Sequence, residues 1–431
     1  MNISLVDQKI ILLRKAKGIS KSAFATDVLH CDPSRVRDVE NGLASFLESE
    51  IKLAKTFFDI ENLPLEEQEC IPVHMSLYYI LDHNRAERYT EAKAILDDLA
   101  KLVNLDPCDK KLPTLYRLFD THYHIVTNQL VAAKETLDFL QGRYGEMDTE
   151  CRYYFYFNTG FLHSVEGRDS ESLEAYKKAL ALTESQKDFV PNDIERLHAS
   201  IGACYTNLEL PFHAIFYLRD IRKKYGNVEK VKFNLHTAIL LATNFLNIRR
   251  FKASSELLNN CFIRAESIKN RFYLGWTTLR LGELNAKTEN WEVALEYLDK
   301  ALMYLDKGTK LFLSALYKKI RCLSGNKQHA EAKQLLEESI SLYGTDKVFG
   351  PLFRMLRRFV EINSRISLYS NEAVEYLETV AIPYLLKTND RFEAVDYCML
   401  LVLYYSKKNK MKALSMLVVI LGIYMECLLT E

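Results

Sequence analysis

The sequence predicts an all-α protein in which a small N-terminal helical domain precedes a long solenoid of helical hairpins. Three observations lead to this prediction. The stretch from Thr278 to Asp306 contains two helical patterns joined by a tight turn. The same pattern recurs along most of the chain at roughly 40-residue intervals, and one such hairpin cannot bury its own apolar face without neighbours. Glycine and proline are scarce, at 15 and 9 residues of 431, as expected of a nearly all-helical chain.

The clearest hairpin has small residues where its two helices approach each other. Gly282, Ala294 and Ala301 permit close packing, and Leu298 fills the seam between hairpins. With Gly282 as the reference residue, the equivalent positions are Ile80, Thr121, Gly160, Gly202, Ala242, Ile320, Glu361 and Leu401. The pattern resembles the tetratricopeptide (TPR) repeat, whose ideal period is about 34 residues, and predicts a right-handed TPR-like α-solenoid of about nine hairpins.

Residues 1–62 have a different character and predict a separate domain. A first helix ends at Gly18, a second is capped by Ser20, and a third is capped by Asp32 and starts at Pro33. A fourth helix completes the domain and is expected to place Phe57 in its small core.

This order of residues resembles a Cro/C1-type (XRE) helix-turn-helix domain. The residues that carry the resemblance are Leu13-Arg14, Lys17-Gly18-Ile19-Ser20, Phe24-Ala25, Val36, Val39-Glu40-Asn41-Gly42 and Leu53-Ala54. Two departures concern the docking geometry. The turn between the second and third helices is one residue longer than usual and contains Leu29 where glycine is common, and Lys21 replaces a frequent glutamine.

The charge of this domain is compatible with DNA contact. Between Lys9 and Arg37 there are seven basic and two acidic residues, and such a cluster neutralises phosphates. The first half of the third helix is the part that reaches base edges in this motif. The predicted DNA contacts are Arg14, Lys17, Lys21, Ser34, Arg35 and Arg37. The alternative is a solvated charged face on a domain that only dimerises.

Composition limits the other classes of function. Lysine plus arginine equals aspartate plus glutamate, 57 each, so global charge implies no polyanionic partner, although a local basic patch is compatible with one. The nine cysteines are scattered singly and are expected to be reduced core residues of a cytoplasmic protein. No signal peptide is expected. Residues 413–429 are almost entirely apolar; a tail anchor is conceivable, but a final helix buried in the array or in a subunit interface is favoured.

Residues 63–72 are expected to form a linker, because residues 61–72 are polar, acidic and contain two prolines. Residues 73–431 are expected to form the TPR domain. A Cro/C1-type domain followed by about nine TPR-like hairpins resembles the RRNPP family of peptide-pheromone regulators (Rap, Rgg, NprR, PlcR, PrgX), and most of all the NprR branch. The resemblance implies a cytoplasmic quorum-sensing receptor, usually a homodimer, that binds a short re-imported signalling peptide on the concave face of its array. Peptide binding then changes its DNA binding or its oligomeric state.

The resemblance also suggests where a peptide would bind. First helices line the concave surface, and side-chain amides can pair with both N–H and C=O groups of an extended peptide; the family uses asparagines in this way. An arginine such as Arg280 could hold a carboxylate with two hydrogen bonds. The predicted peptide-binding residues are His122, Tyr154, Phe157, Asn158, Arg196, Asn207, Asn247, Arg280 and Glu283. Asn158 in particular is expected to bind peptide without affecting the stability of the unliganded array.

Other functions have less support in the sequence. No HExxH, GxxxxGK[ST] or GxSxG motif is present, and His122-Tyr123-His124 lacks a third ligand at a suitable spacing, so neither an enzyme nor a metal or cofactor is predicted. One alternative is a TPR protein that sequesters a response regulator or phosphorelay protein, with peptide relieving the inhibition. Another is a repressor whose array serves only for dimerisation. The peptide sequence, the operator and the sign of the peptide's effect stay open.

Overall fold

The computed structural model describes residues 5–58, 67–85, 87–102, 111–185, 194–225, 231–365, 371–388 and 390–429, which form helices and turns with no strand among them. The chain divides into two compact units, Met1–Ile194 (unit 1) and Glu195–Glu431 (unit 2). The predicted all-α class and solenoid of hairpins are confirmed.

Unit 1 begins with α1 (Leu5–Ala16), α2 (Lys21–Ala23), which continues as a π-helical segment (Phe24–Leu29), α3 (Pro33–Glu40) and α4 (Glu48–Phe58). Three hairpins then follow through the described residues. They are α5 (Glu67–Arg85) with α6 (Tyr89–Leu102), α7 (Lys111–Val126) with α8 (Leu130–Gln141), and α9 (Thr149–Val165) with α10 (Asp169–Ser185). A 3₁₀ turn (Tyr144–Glu146) precedes α9.

Unit 2 contains six hairpins through the described residues. The first four are α11 (Ile194–Asn207) with α12 (Pro211–Tyr225), α13 (Val231–Asn247) with α14 (Phe251–Ser267), α15 (Arg271–Lys287) with α16 (Trp291–Tyr304), and α17 (Lys310–Gly325) with α18 (His329–Tyr343). In the fifth, α19 (Phe349–Arg365) pairs with α20 (Asn371–Tyr376), a π-helical segment (Leu377–Ala381) and α21 (Ile382–Lys387). The sixth is α22 (Arg391–Ser406) with α23 (Lys410–Leu429).

The hairpins are closed by the small residues that the sequence analysis singled out. A Cβ atom at Gly282 would lie 2.7 Å from Leu298 Cγ, closer than carbon atoms pack, so any larger residue at this position would require Leu298 to move. Where a serine replaces the small alanine of the second helix, it also bonds to the first helix. Ser254 Oγ donates to the carbonyl of Ala242, the reference residue of its hairpin, at 2.8 Å.

First helices end in the same kind of turn. The residue seven positions after the reference residue has a positive φ in Glu87, Asn128, Gly167, Glu209, Arg249, Glu289 and Lys327. The next amide donates to a carbonyl five residues earlier, as in Leu210 to Tyr205 at 2.8 Å and Asn290 to Asn285 at 2.9 Å. This is the Schellman arrangement that satisfies carbonyls at a helix end. The equal spacing confirms the predicted repeat register in these hairpins.

The N-terminal domain has the predicted helices, but it differs from the prediction in the turn before α3 and in the core residue of α4. The extra residue between the second and third helices is absorbed by the π-helical segment and by His30, whose φ is 52°, because a π-helix holds one more residue per hydrogen-bonded turn than an α-helix. In α4 the core residue is Phe58, 1% exposed, whereas Phe57 is 45% exposed. The prediction for Phe57 was therefore wrong by one residue of helical register.

Part of the predicted linker is helical. Residues 59–66 lie outside the described residues, but α5 already begins at Glu67, so the second half of the predicted linker is helical. The N-terminal domain also contacts the solenoid within unit 1, because α1 packs against α5 and α6.

The C-terminal helix α23 has two apolar faces. Ile420, Ile423 and Cys427 are buried in unit 2, whereas Leu417 and Leu421 are 44% and 60% exposed. Among the described residues, α23 is the one helix long and apolar enough to cross a membrane by length and composition.

Candidate functional site

The predicted recognition helix α3 presents a polar side to solvent. Its first turn is fixed by Asp32, whose carboxylate accepts from the amide of Ser34 at 2.8 Å. Val36 and Val39 are fully buried in the domain. The Arg37 side chain is 62% exposed and lies 3.6 Å from Asp38, so α3 has one arginine that extends into solvent.

Two other predicted DNA contacts are partly engaged within the domain. Arg35 donates to Glu50 at 2.6 Å and to the carbonyl of Ser45 at 2.8 Å, and 29% of its side chain remains exposed. These bonds hold α3 against the start of α4. The ammonium of Lys17 lies 5.4 Å from the centre of the Phe57 ring, where a cation is attracted to the ring face.

Arg14 requires a correction, because the structure gives it an internal role. It is 6% exposed, and its Nε donates to Glu40 at 2.9 Å. Lys21, still 45% exposed, pairs with the other oxygen of Glu40 at 2.8 Å. Burial alone would raise the pKa of Glu40, but the hydrogen bonds from Lys21 and Arg14 hold it below its usual range. Arg14 therefore neutralises a carboxylate between α1 and α3 and is not placed to contact phosphates.

In unit 1 the predicted peptide-binding residues lie together but are buried. Asn158 is 1% exposed; its amide donates to the carbonyl of Leu118 at 2.7 Å, and its oxygen lies 3.2 Å from His122 Nδ1. Phe157 stacks beside His122 at 6.2 Å between ring centres, and Tyr154 is 2% exposed. These side chains join α7 to α9 and do not line an open surface.

This burial changes what Asn158→Ala should do. The variant leaves the Leu118 carbonyl and the His122 ring without their partner, so we expect unit 1 to lose about 1–3 kcal/mol of stability. The earlier expectation of an unchanged stability is thus corrected. Glu135→Ala, at an exposed residue of α8 in the same unit, is the control and should change stability by less than about 0.5 kcal/mol. Chemical denaturation followed by hydrogen exchange in α7 and α9 measures both; equal exchange in the two variants would contradict the expectation.

Three residues occupy equivalent positions on the first helices of unit 2. Arg196, His236 and Trp276 each lie six residues before the reference residue of their hairpin. The rings of His236 and Trp276 are 5.0 Å apart and edge-on, and the Arg196 guanidinium lies 5.3 Å from the centre of the Phe233 ring. Burial, aided by the charge of Arg196, lowers the pKa of His236 to about 4, so this imidazole is neutral at pH 7.

Sequence reasoning predicted Arg196 but not His236 or Trp276. The information was present, because both residues occupy the repeat position of Arg196 and of Tyr154, which was predicted. We call one surface the first-helix face of unit 2. It consists of Arg196, His236, Trp276, Arg280 and Glu283, together with Lys318 of α17.

Arg280 and Glu283 are joined in a charge network with α17. Arg280 donates to Glu283 Oε2 at 2.7 Å, and Lys318 Nζ lies 3.0 Å from Glu283 Oε1. Glu283 is 8% exposed. Burial alone would raise its pKa, but the charges of Lys318 and Arg280 outweigh burial and hold the pKa well below its usual range. Two cations therefore surround one carboxylate.

The remaining predicted asparagines lie at helix ends. Asn207 is the exposed last residue of α11, and Asn247 is the last residue of α13. The carbonyl of Asn247 accepts from Tyr424 of α23 at 3.1 Å. Asn244 of α13 donates to Thr206 at 2.7 Å and is fully buried, so it packs α13 against α11.

Unexpectedly, α22 packs onto the ends of these first helices through charged residues. Asp396 forms ion pairs with Lys287 and with Arg249, the latter at 3.0 Å, and Glu393 pairs with Arg321. Burial would raise the pKa of Asp396, but Lys287, Arg321 and Arg249 hold it below its usual range. The last hairpin thus binds residues that lie 72 to 147 positions earlier in the chain.

A further residue of this contact has a shifted pKa near neutrality. Glu209, in the turn between α11 and α12, accepts from the backbone amides of Arg391 and Phe392, the latter at 3.2 Å. It therefore caps α22 from a distant turn. Burial, together with the nearby Asp390 carboxylate, raises the pKa of Glu209 to about 7.

The raised pKa of Glu209 predicts a pH effect on stability. Between about pH 5 and 7 the folded chain binds more protons at this site than the unfolded chain, so its contribution to stability falls as pH rises through this window. Relative to Glu209→Gln, which keeps an acceptor but cannot ionise, the wild type should lose about 1–3 kcal/mol between pH 5 and pH 8. Urea unfolding of both proteins at the two pH values tests this; parallel pH profiles would contradict it.

Among the described residues, no group of three or more histidine, cysteine or acidic side chains could hold a metal ion, and the cysteines described are free of disulfides.

Comparison with known proteins places this architecture among regulators. The chain is 23% identical over 392 residues to the transcriptional activator NprA of Geobacillus stearothermophilus, covering 89% of this chain and 94% of that protein. The predicted resemblance to the RRNPP regulators is confirmed. Over 241 residues the chain is 23% identical to the regulatory protein RapD of Bacillus subtilis, covering 54% of this chain and 66% of RapD. No protein-family model matches.

The fold agrees with this relationship. NprR in complex with its cognate peptide NprX has the same fold, with a TM-score of 0.62 and 18% identity over 81% of this chain and 98% of that one. The chain thus has the all-α solenoid fold of NprR.

Proposed function

We propose that this chain is a cytoplasmic transcriptional regulator that binds operator DNA through its N-terminal domain and is switched by a short signalling peptide. The observation that carries the proposal is the similarity to a transcriptional activator along 89% of the chain. Its fold is also that of NprR, which binds the peptide NprX. The exposed Arg37 on the capped helix α3 supports DNA contact, because arginine suits guanine edges in the major groove.

The peptide would bind on the first-helix face of unit 2. This face offers the cations Arg280 and Lys318, and it carries aromatic rings at the equivalent position of neighbouring helices. In unit 1 the predicted residues His122, Tyr154, Phe157 and Asn158 are buried against each other. They would support the solenoid and not touch the peptide directly.

A randomised-duplex selection with the full-length protein tests the proposal. We expect one enriched sequence, and we expect a synthetic pool of peptides of about five to eight residues, the length that spans neighbouring hairpins, to change the affinity for it. The second candidate, supported by the similarity to RapD, is a regulator that sequesters a response regulator or phosphorelay protein. Selection that enriches no sequence, together with retained peptide binding, would reject the first function and favour the second.

The exposed face of α23 suits a second copy of this chain, because a helix-turn-helix monomer reads one half-site and an apolar face of this kind is rarely left in water. We expect Leu417→Glu with Leu421→Glu to convert a homodimer into a monomer, since both carboxylates would enter the interface. Multi-angle light scattering measures the mass. Leu342→Glu, at a residue of α18 that is 70% exposed, is the control and should stay dimeric. A dimeric double variant would place the interface elsewhere.

A further inference from the structure

Helix α15 carries three buried side-chain hydrogen-bond donors that find no acceptor among the described residues, and beside Thr277 Oγ1 they include Trp276 Nε1 and Arg280 Nε. Trp276 is only 7% exposed. The two residues are four apart in one helix, so their side chains lie on the same side, about one turn from each other. Buried donors are almost always paired in folded proteins, and two unpaired donors in adjacent turns indicate that an acceptor from another molecule completes them.

The charges near these two donors are also not balanced. Arg280 and Lys318 share the single carboxylate of Glu283. His236, beside Trp276, is neutral because its pKa is lowered to about 4 by burial and by Arg196. Arg280 and Lys318 thus outnumber the one carboxylate that they share, even though burial lowers the pKa of Lys318, and an acidic group of a ligand would offset this excess.

The geometry of Arg280 suggests the shape of that ligand. Its hydrogen bond to Glu283 uses one terminal nitrogen, NH1, and Nε is left on the other edge of the planar group. That edge matches a carboxylate, which accepts two parallel bonds in one plane. Trp276 adds a third donor, and its ring also contacts Phe272, whose centre is 5.9 Å away, so an apolar group can lie beside the charge.

We propose that Trp276 and Arg280 form a carboxylate-binding subsite, which fixes one end or one acidic side chain of the bound peptide. The inference rests on the proposed peptide binding. The carboxylate comes from the peptide's C-terminus or from an aspartate or glutamate side chain. Lys318 and Glu283 hold Arg280 in place and set the charge, and Trp276 selects an acceptor over an apolar group.

Three pools of synthetic hexapeptides distinguish the two sources. One pool has a free C-terminus and no acidic residue, one has an amidated C-terminus and one acidic residue, and one has neither carboxylate. We expect the full-length protein to retain the first or the second pool but not the third. Arg280→Gln and Trp276→Phe should each lower the retention at least tenfold, whereas Lys300→Gln, at an exposed residue of α16, should not change it.

Fluorescence gives a direct second readout, because the chain has only two tryptophans. In a Trp291→Phe variant all tryptophan emission comes from Trp276, and we expect the retained pool to shift or quench it. Binding that is unchanged in Arg280→Gln and Trp276→Phe, or retention of the pool without carboxylates, would overturn the subsite and leave peptide binding standing. Retention of no pool by the wild type would overturn both the subsite and the proposed peptide binding.

Discussion

Asp396→Ala is expected to destabilise unit 2 by about 3 kcal/mol, because removing one partner of a buried ion pair leaves the others buried without compensation. Two cations depend on this carboxylate: Lys287, whose side chain is 11% exposed, and Arg249. The pKa of Asp396 is held below its usual range, so its contribution is present above the unfolded pKa near 4 and is lost as pH falls below it. Urea unfolding at pH 7 and hydrogen exchange in α22 measure the loss.

A surface ion pair provides the control for Asp396. Asp299 pairs with Lys319 at 2.6 Å, but 54% of the Asp299 side chain is exposed, and such pairs contribute about 0–1 kcal/mol. Asp299→Ala should therefore leave exchange in α22 unchanged. If Asp396→Ala were no more destabilising than this control, the contact between α22 and the first helices would be a weak surface contact.

The second large effect concerns DNA. Replacing Arg35 and Arg37 together with alanine is expected to abolish operator binding, since each lost base contact costs about 1–3 kcal/mol. Arg35 also donates hydrogen bonds to Glu50 and to the carbonyl of Ser45. The double variant therefore removes contacts within the domain as well as the predicted DNA contacts. Arg37→Ala separates the two effects: it removes an exposed side chain that has no role in the core, and it should lower affinity about 5- to 150-fold, the equivalent of one such contact.

Anisotropy titrations with the duplex enriched by the wild type measure this loss, and circular dichroism confirms that helical content is unchanged. Lys52→Ala, an exposed residue of α4, is the matched control on the same domain. It should lower affinity at most by the small electrostatic amount that one lysine contributes. Equal affinities for Arg37→Ala and the wild type would show that α3 does not read the operator.

The repeats could be predicted from sequence because their rules are local. Gly282 and the residue seven positions later fix the packing and the turn of one hairpin, and the turn recurs at the same spacing in six other hairpins. Roles that depend on distant partners could not be predicted. Arg14 and Asn158 are polar residues whose periodicity is equally compatible with exposure, and only the positions of Glu40 and His122 show that they pair internally.

The candidate site likewise contains residues that could be predicted from local spacing and residues that could not. Arg280 and Glu283 were both predicted as peptide-binding residues, and they lie three apart in one helix, where their side chains meet. Lys318 comes from the next hairpin and completes the network only in the folded chain. Trp276 was missed because a tryptophan in a repeat is ordinarily assigned to packing, and the donor without an acceptor is visible only in three dimensions.

The capping of α22 by Glu209 also affects how unit 2 folds. An open repeat array folds by nearest-neighbour steps, and its ends can fray independently. Here residue 391 hydrogen-bonds to residue 209, so the sixth hairpin closes a loop of nearly the whole unit on the first. Contacts of such long sequence separation form late and slow the folding rate, but once formed they make the terminal hairpins unfold with the middle ones. Unit 2 should therefore behave as one cooperative block, with a single unfolding transition in place of a series of partly unfolded arrays.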